Sequence, residues 1–480
     1  MKTLLSLFLG TTLGITAFCE RQKPNFIVFI ADDVSWDDFA CYGDPNAQTP
    51  EIDKLAESGI TFTNTYLTAS SCSPSRNSIM TGRYPHNTGA AELHTSPPEA
   101  MLSMAEVLKQ NGYYCGHSGK FHMGDYAHRG FDVIYTSRED VGDGGEKSWV
   151  QSLAERPMDK PFFMWFAAYD AHRAWGENEF SGTHNPDEIK VPYYYIDDAE
   201  TRQDLAHYYD EIKRFDHYIG LCIQELEKQG QLENTFIIVM ADNGRAFPAA
   251  KTRVNDRGMK TPFVVSWPQN IKRASTCDSL VSVIDIAPTF FELAGAELPE
   301  QFQGRSFSAL LKKPQQEFRN YVFSEHNWHD YEAHERMVRS KDLLYILNAR
   351  PNKPQLGPTD SVGSPTHISL VKSQQAGTLT TAQADIFVTP RPREELYDCT
   401  SDTEQWLNIA SLPDRQNDLA KMRAVLDEWR EQTGDTTPAT LTPDYYLPEP
   451  GYIKTEQHGT RGENPGAARK ATEINAPGPF

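Results

Sequence analysis

The chain has 480 residues, 39% hydrophobic and 23% charged, with 24 Phe, 21 Tyr and 8 Trp. That is enough apolar material for a substantial core, which excludes disorder, collagen and coiled coil as the main architecture. Lys plus Arg number 46 against 66 Asp plus Glu, a formal charge of -20, so the surface offers no general attraction to nucleic acid or acidic lipid.

In chain order, Met1–Cys19 reads as a secretory signal: Lys2, then an apolar stretch from Leu4 to Ile15, then Ala17-Phe18-Cys19. It predicts export to a periplasm or the medium, and the bulky Phe18 argues against a lipid anchor at Cys19. No later apolar run reaches bilayer length, so no membrane span is expected. The six cysteines that follow are scattered without a CxxC pair, which indicates neither a disulfide framework nor a zinc site. Asn25–Ala31, Phe162–Ala167 and Thr235–Met240 are continuous apolar runs, as strands buried on both faces of a parallel sheet require. They end in Asp32-Asp33, in Asp170 and His172, and in Asp242-Asn243-Gly244. Helical patterns lie between them at Pro50–Ser58, Ser103–Asn111 and about 201–229. The last carries Leu205, Tyr208, Ile212, Phe215, Ile219, Cys222 and Leu226 on one stripe. This predicts an α/β domain over 20–320 with a mostly parallel central sheet flanked by helices, and in such sheets ligands collect at the carboxyl ends of strands. Short antiparallel strands are expected near 321–324, 336–339, 343–346 and 395–398, then a helix over 414–431. They make a smaller C-terminal α+β subdomain over 321–435. Residues 349–392 read as a Pro-, Gln-, Ser- and Thr-rich excursion. The Pro- and Gly-rich tail, 436–480, either wraps the body through Tyr445, Tyr446 and Tyr452 or is loose.

Ser71-Cys72-Ser73-Pro74-Ser75-Arg76 is followed in register by Thr81-Gly82. Pro74 fits the first turn of a helix and Gly82 its C-terminal cap. Cys72 then stands at a helix N-terminus, where free N–H groups and the dipole favour an anion such as sulfate. By themselves these residues also fit a buried cysteine or a thiolate nucleophile. The segment resembles the signature of the formylglycine-dependent sulfatases, whose fold is that of alkaline phosphatase. The resemblance implies that Cys72 is oxidised to formylglycine by a maturation enzyme, with Arg76 holding its charge.

Asp32, Asp33, Asp242 and Asn243 are hard oxygen ligands suited to calcium or magnesium. Either pair alone would read as a helix or turn cap; the resemblance implies one calcium ion, completed by residue 72. Gly119-Lys120-Phe121-His122-Met123-Gly124 resembles a further family motif, in which Lys120 holds a sulfate oxygen and His122 the nucleophile. By the same resemblance His172 serves the leaving group and Lys251 binds sulfate, with Arg253 and Lys260 as competitors for that role. Arg173 and His326 are expected on the sugar side; His117, His128, His329 and His334 have no register to lean on. His172-Arg173, Val191-Pro192-Tyr193, Ser364-Pro365-Thr366 and Glu395-Leu396-Tyr397-Asp398 are most similar to the sulfamidase branch, yet sulfamidase has arginine where this chain has Lys251. N-sulfate and O-sulfate therefore both stay open. The implied activity is exo-hydrolysis of sulfate from a sulfated oligosaccharide or polysaccharide. The alternatives are a phosphodiesterase or phosphonate hydrolase of the same fold and a catalytically silent sulfated-glycan-binding protein.

Overall fold

The computed structural model describes residues 22–272, 274–447 and 453–480; the secretory signal expected at Met1–Cys19 and the tail residue Tyr452 lie outside them. An eight-stranded sheet runs in the order Val133–Tyr135, Tyr114–Gly119, Phe162–Ala167, Asn25–Ala31, Thr235–Ala241, Phe263–Ser266, Ile60–Phe62, Ser275–Cys277. Neighbours pair in parallel except at Phe263–Ser266, which is antiparallel to both of its partners. Every residue of Asn25–Ala31 is buried, and the pleat sends alternate side chains to opposite layers. Phe26, Val28 and Ile30 join one apolar cluster, with Phe163, Trp165, Phe236 and Phe290. Ile27, Phe29 and Ala31 join the other, with Leu205, Tyr208, Ile212 and Phe215 of the long helix. That helix runs Ala199–Lys228, and its N-cap Asp198 accepts from the Thr201 N–H at 2.9 Å. Continuous apolar strands thus mean two covered faces.

A separate four-stranded antiparallel sheet orders Val322–His326, Glu335–Arg339, Leu343–Asn348 and Glu394–Asp398 side by side. The helix Gln416–Thr433 covers it, with Trp429 stacked on Phe323 at 5.2 Å. Two segments gain definition. The 349–392 excursion is not featureless: it contains the helices Thr359–Val362 and Pro365–Ala376, and Leu370 is buried among the long helix's neighbours. Its weak apolar periodicity hid it, because only a narrow face is covered. The tail wraps the body. Arg83, buried in the main domain, donates to Asn475 Oδ1 at 2.8 Å and to the carbonyls of Ile474 at 2.8 Å and Thr472 at 3.2 Å. Tyr445 packs on Trp328 at 4.3 Å. Among the described residues, no helix is long and apolar enough to cross a membrane.

Candidate active site

Parallel register puts Gly119 beside Ala167, Ala167 beside Ile30, and Ala31 beside Ala241. The residues just past these strand ends are therefore neighbours: Lys120, then Asp170 and His172, then Asp32-Asp33, then Asp242-Asn243. Backbone bonds lace the ends together, with Asp32 N donating to Asp170 O and Ala171 N to Asp32 O, both at 2.7 Å. Asp33 adopts a left-handed φ of 62°, a strain of the kind that collects at functional sites.

The helix Cys72–Thr81 starts here and is buried along its whole length. Cys72 is its first residue, Pro74 its third, and Gly82, at φ 60°, its left-handed cap. Cys72 is less open than a helix entrance usually is: it is 2% exposed and packs with Leu93, Trp328 and Tyr445. Its Sγ lies 3.7 Å from Asp32 Oδ1 and 3.9 Å from Asp33 Oδ1. Burial pushes its thiol well above the ordinary range, with Lys120 and Lys251 pulling the other way, so the unmodified cysteine is a poor thiolate. One turn on, Arg76 Nε donates to Asp242 Oδ2 at 2.7 Å and Nη1 to the Lys120 carbonyl at 2.8 Å. Its Nη2 is buried without a hydrogen-bond partner, 3.7 Å from Asp32 Oδ1.

The Lys120 ammonium donates to Asp32 Oδ2. Lys251 Nζ donates to Asp33 Oδ2 at 2.7 Å and to Asp360 Oδ2 at 3.0 Å. It gets there because Thr252 N donates to Ser70 O at 3.1 Å, tying its loop to the segment before Cys72. Neither competitor joins this cluster: Lys260 lies over Trp36 at 3.9 Å and Arg253 pairs with Asp385 at 3.0 Å. Asp32 would be raised by burial, but Lys120, His172, Arg76 and Lys251 outweigh that and hold it well below the carboxylate range. Asp242 is pushed up to about 6, since burial and the neighbouring Asp32 exceed what Arg76 and Lys120 return.

His172 Nδ1 donates to the Arg173 carbonyl, leaving Nε2 to face Asp360 Oδ2 at 3.7 Å and Asp33 Oδ2 at 3.9 Å. His122 Nε2 shares a hydrogen bond with His94 Nδ1 at 2.9 Å, and its Nδ1 is buried without a partner. A cleft of about 760 Å³ opens over Lys120, His122 and His172, walled by His94, Arg138 and Tyr169.

The donor set can be tested for a cation. Carboxylate oxygens of Asp32 and Asp242 lie within 4.8 Å of each other and of Cys72 Sγ, as do ligand atoms of Asp33, Cys72 and His172. Asn243 donates to Asp33 Oδ1 at 2.5 Å, while its Oδ1 is buried with no partner. Three carboxylates and an orphaned amide oxygen fit a hard divalent cation.

His326 stands away from the cleft, and Arg173 is held in its wall. Arg173 reaches the cleft wall, but its guanidinium forks onto Asp204 at 2.7 and 2.9 Å, donates to Ala246 O at 2.8 Å and stacks on Trp175 and Phe247. Each of its three nitrogens makes one hydrogen bond, which fixes it in the cleft wall. His326 lines a different cavity, at one end of the C-terminal sheet, with Nδ1 on Glu335 Oε2 at 3.0 Å. His329 and His334, which had no register to lean on, are buried. Asp360 was missed: it follows a threonine at a short helix start, as countless capping carboxylates do, and only the fold brings it to Lys251. Burial opposes its charge, but Lys251, His172 and His329 hold its carboxyl below the ordinary range.

The family model described as Sulfatase matches residues 24–296, and that of the N-sulphoglucosamine sulphohydrolase C-terminal region matches 250–344. An ulvan-active sulfatase of Formosa agariphila is 28% identical over 92% of this chain and 78% of that protein. The human N-sulphoglucosamine sulphohydrolase is 28% identical over 91% and 95%. A solved structure of a protein in complex with its substrate D-glucosamine-2-N,6-O-disulfate superposes with a TM-score of 0.70 at 19% identity, over 85% of this chain and 98% of the other.

Proposed function

The chain belongs to the sulfatase family, and from that premise we propose that it is an exported, exo-acting carbohydrate sulfatase that uses formylglycine at position 72 and one calcium ion. The observation that carries this reading is the convergence of Cys72 and Arg76 on three buried carboxylates and two buried lysines. No such cation-and-carboxylate cluster is needed to stabilise a fold, because burying charges costs about as much as pairing them returns.

Asp32, Asp33, Asp242 and Asn243 would hold the calcium, which supplies a Lewis acid for a sulfate oxygen. Formylglycine, once hydrated, supplies a hydroxyl nucleophile with a second hydroxyl on the same carbon. The remaining work belongs to the chain's own side chains. Lys120, on Asp32, and Lys251, on Asp33 and Asp360, would be the groups that bind the sulfate oxygens. Arg76 Nη2, free of a hydrogen-bond partner and 3.7 Å from Asp32 Oδ1, would stabilise charge developing on residue 72. Each such preorganised contact is worth on the order of 3 kcal/mol in the transition state. His172 is one-third exposed at the cleft, and its Nδ1 bond to the Arg173 carbonyl fixes which nitrogen carries a proton to the departing oxygen or nitrogen. His122, beside Lys120, would hold the nucleophile through its unpartnered Nδ1.

The relatives named for ulvan and for N-sulphoglucosamine support a sulfated glycan as substrate. Export rests on the charge and apolar pattern of Met1–Cys19, and maturation requires a formylglycine-generating enzyme as partner. The test is sulfate release from a panel of sulfated oligosaccharides by protein matured in a competent host. Release is expected, with loss on chelation and in Cys72→Ala. Faster hydrolysis of phosphonate or phosphodiester substrates than of any sulfated sugar would overturn the proposal.

A further inference from the structure

At one end of the C-terminal sheet lies a cavity of about 280 Å³ that the chemistry above does not use. Two of its wall residues are tied to the Cys72 and Lys251 segments. Thr252, in its wall, follows Lys251, and His329, also in its wall, shares a 2.7 Å hydrogen bond with Ser71, the cap of the Cys72 helix. With its histidines neutral its charges cancel, Arg253, Arg350 and Lys353 against Glu332, Glu335 and Asp444, with Arg350 on Glu332 and Lys353 on Asp444 at 2.7 Å. An electroneutral cavity of this kind gives no net attraction to a second sulfate. Polar atoms are nonetheless left over. Arg253 Nη1 and Arg350 Nε are donors without partners, and His326 Nε2 and His334 Nδ1 are ring nitrogens without partners. Because His326 Nδ1 donates to a carboxylate, its Nε2 is an acceptor when the ring is neutral. Arg253 and His334 are 5% and 2% exposed, so these atoms have little access to water. Pro354, Leu356 and Ala333 add apolar surface between them.

Donors beside acceptors, with apolar patches and no net charge, match a ring whose hydroxyls both donate and accept. We propose that this cavity is a second sugar subsite, taking an uncharged, hydroxyl-bearing sugar ring joined to the sulfated one. The inference rests on the sulfatase reading and extends it: the smallest good substrate is a sulfated disaccharide, not a sulfated monosaccharide. Arg253, His326, His334 and Arg350 select the second ring without touching the sulfate.

The test uses full-length Cys72→Ala protein, which binds without turnover. Calorimetry compares N-sulfoglucosamine and sulfated galactose, each free and each at the end of a disaccharide with a neutral second sugar. For at least one pair the disaccharide should bind at least about tenfold tighter, a difference of about 1.4 kcal/mol. Ala333→Phe, which fills the cavity, and Arg350→Gln should each bring the disaccharide down to the monosaccharide's affinity and leave the monosaccharide and the melting temperature unchanged. Equal affinities within every pair, no binding of any probe, or an equal loss for both sugars in the variants would overturn the subsite. Failure of wild-type protein to release sulfate from any sugar would instead refute the sulfatase reading, while the disaccharide preference in calorimetry would still report on the cavity.

Discussion

Two residues decide how far the site could be read in advance. Cys72 is legible because its neighbours in sequence, Pro74, Arg76 and Gly82, are also its neighbours in the helix that frames it. Asp360 is not, because its meaning comes from Lys251, 109 positions away in sequence. Asp360→Asn keeps a hydrogen-bond acceptor for Lys251 but removes the charge that anchors it. We expect a drop of roughly tenfold in kcat/KM for sulfate release, with little change in melting temperature. Unchanged kinetics in that variant would mean that Lys251 is positioned by Asp33 alone. Lys251→Met is the harsher change, since it strands Asp33 and Asp360 in a buried site. Removing one partner of a buried pair costs about 3–5 kcal/mol, so a large fall in melting temperature is expected, partly restored by added calcium through ligand linkage. A fall that calcium leaves untouched would speak against these carboxylates as its ligands. Arg173 is legible as a residue of the cleft wall, but its fork onto Asp204, a residue of the long helix, is not.

At the scale of elements, the strands and long helices were readable and the short ones were not. Asn25–Ala31 and Phe162–Ala167 have apolar runs that match their strands end to end, because both faces are covered and no polar residue interrupts them. Pro365–Ala376 has no such stripe, being held by a Ser364 cap on His367 N and by contacts along one edge. The helix that carries Cys72 and Arg76 depends on its left-handed stop. A Cβ at Gly82 would meet Phe302 Cδ1 at 2.5 Å on top of a φ of 60°. Gly82→Ala should therefore cost about 1–2 kcal/mol from the backbone alone, plus the clash, and chemical denaturation should show it. The link between the Lys251 loop and the C-terminal part has an acid limit. Burial opposes the Asp385 charge, but Arg253 and Arg391 overcome it and hold the carboxyl at about 2, against an ordinary 3.8. A folded value below the unfolded one means stability fully present above pH 3.8 and lost as pH falls through about 2. Asp385→Asn should flatten that limb of the stability profile; an unchanged slope would show that other carboxylates set it.

For the whole molecule, the tail is the feature that composition described least well. Rich in proline and glycine, it reads as wrapping or as loose, and it closes on the body by giving Arg83 three of its acceptors and Trp328 an aromatic partner. Truncation after Asp435 should cost roughly 3 kcal/mol or more, since buried polar groups left unpaired cost about 1–3 kcal/mol each, and thermal unfolding would measure it. Tyr445 of the tail packs with Trp328, Leu93 and Cys72 in one apolar cluster, so an enzyme that modifies this cysteine is expected to meet it before the tail closes. This makes the state of residue 72 the most direct test of the account as a whole. Peptide mass spectrometry can give the fraction of residue 72 present as aldehyde or hydrate in preparations matured to different extents, alongside the specific activity of each for sulfate release. The account predicts a straight line through the origin. Full activity in a preparation whose residue 72 is entirely thiol would contradict it.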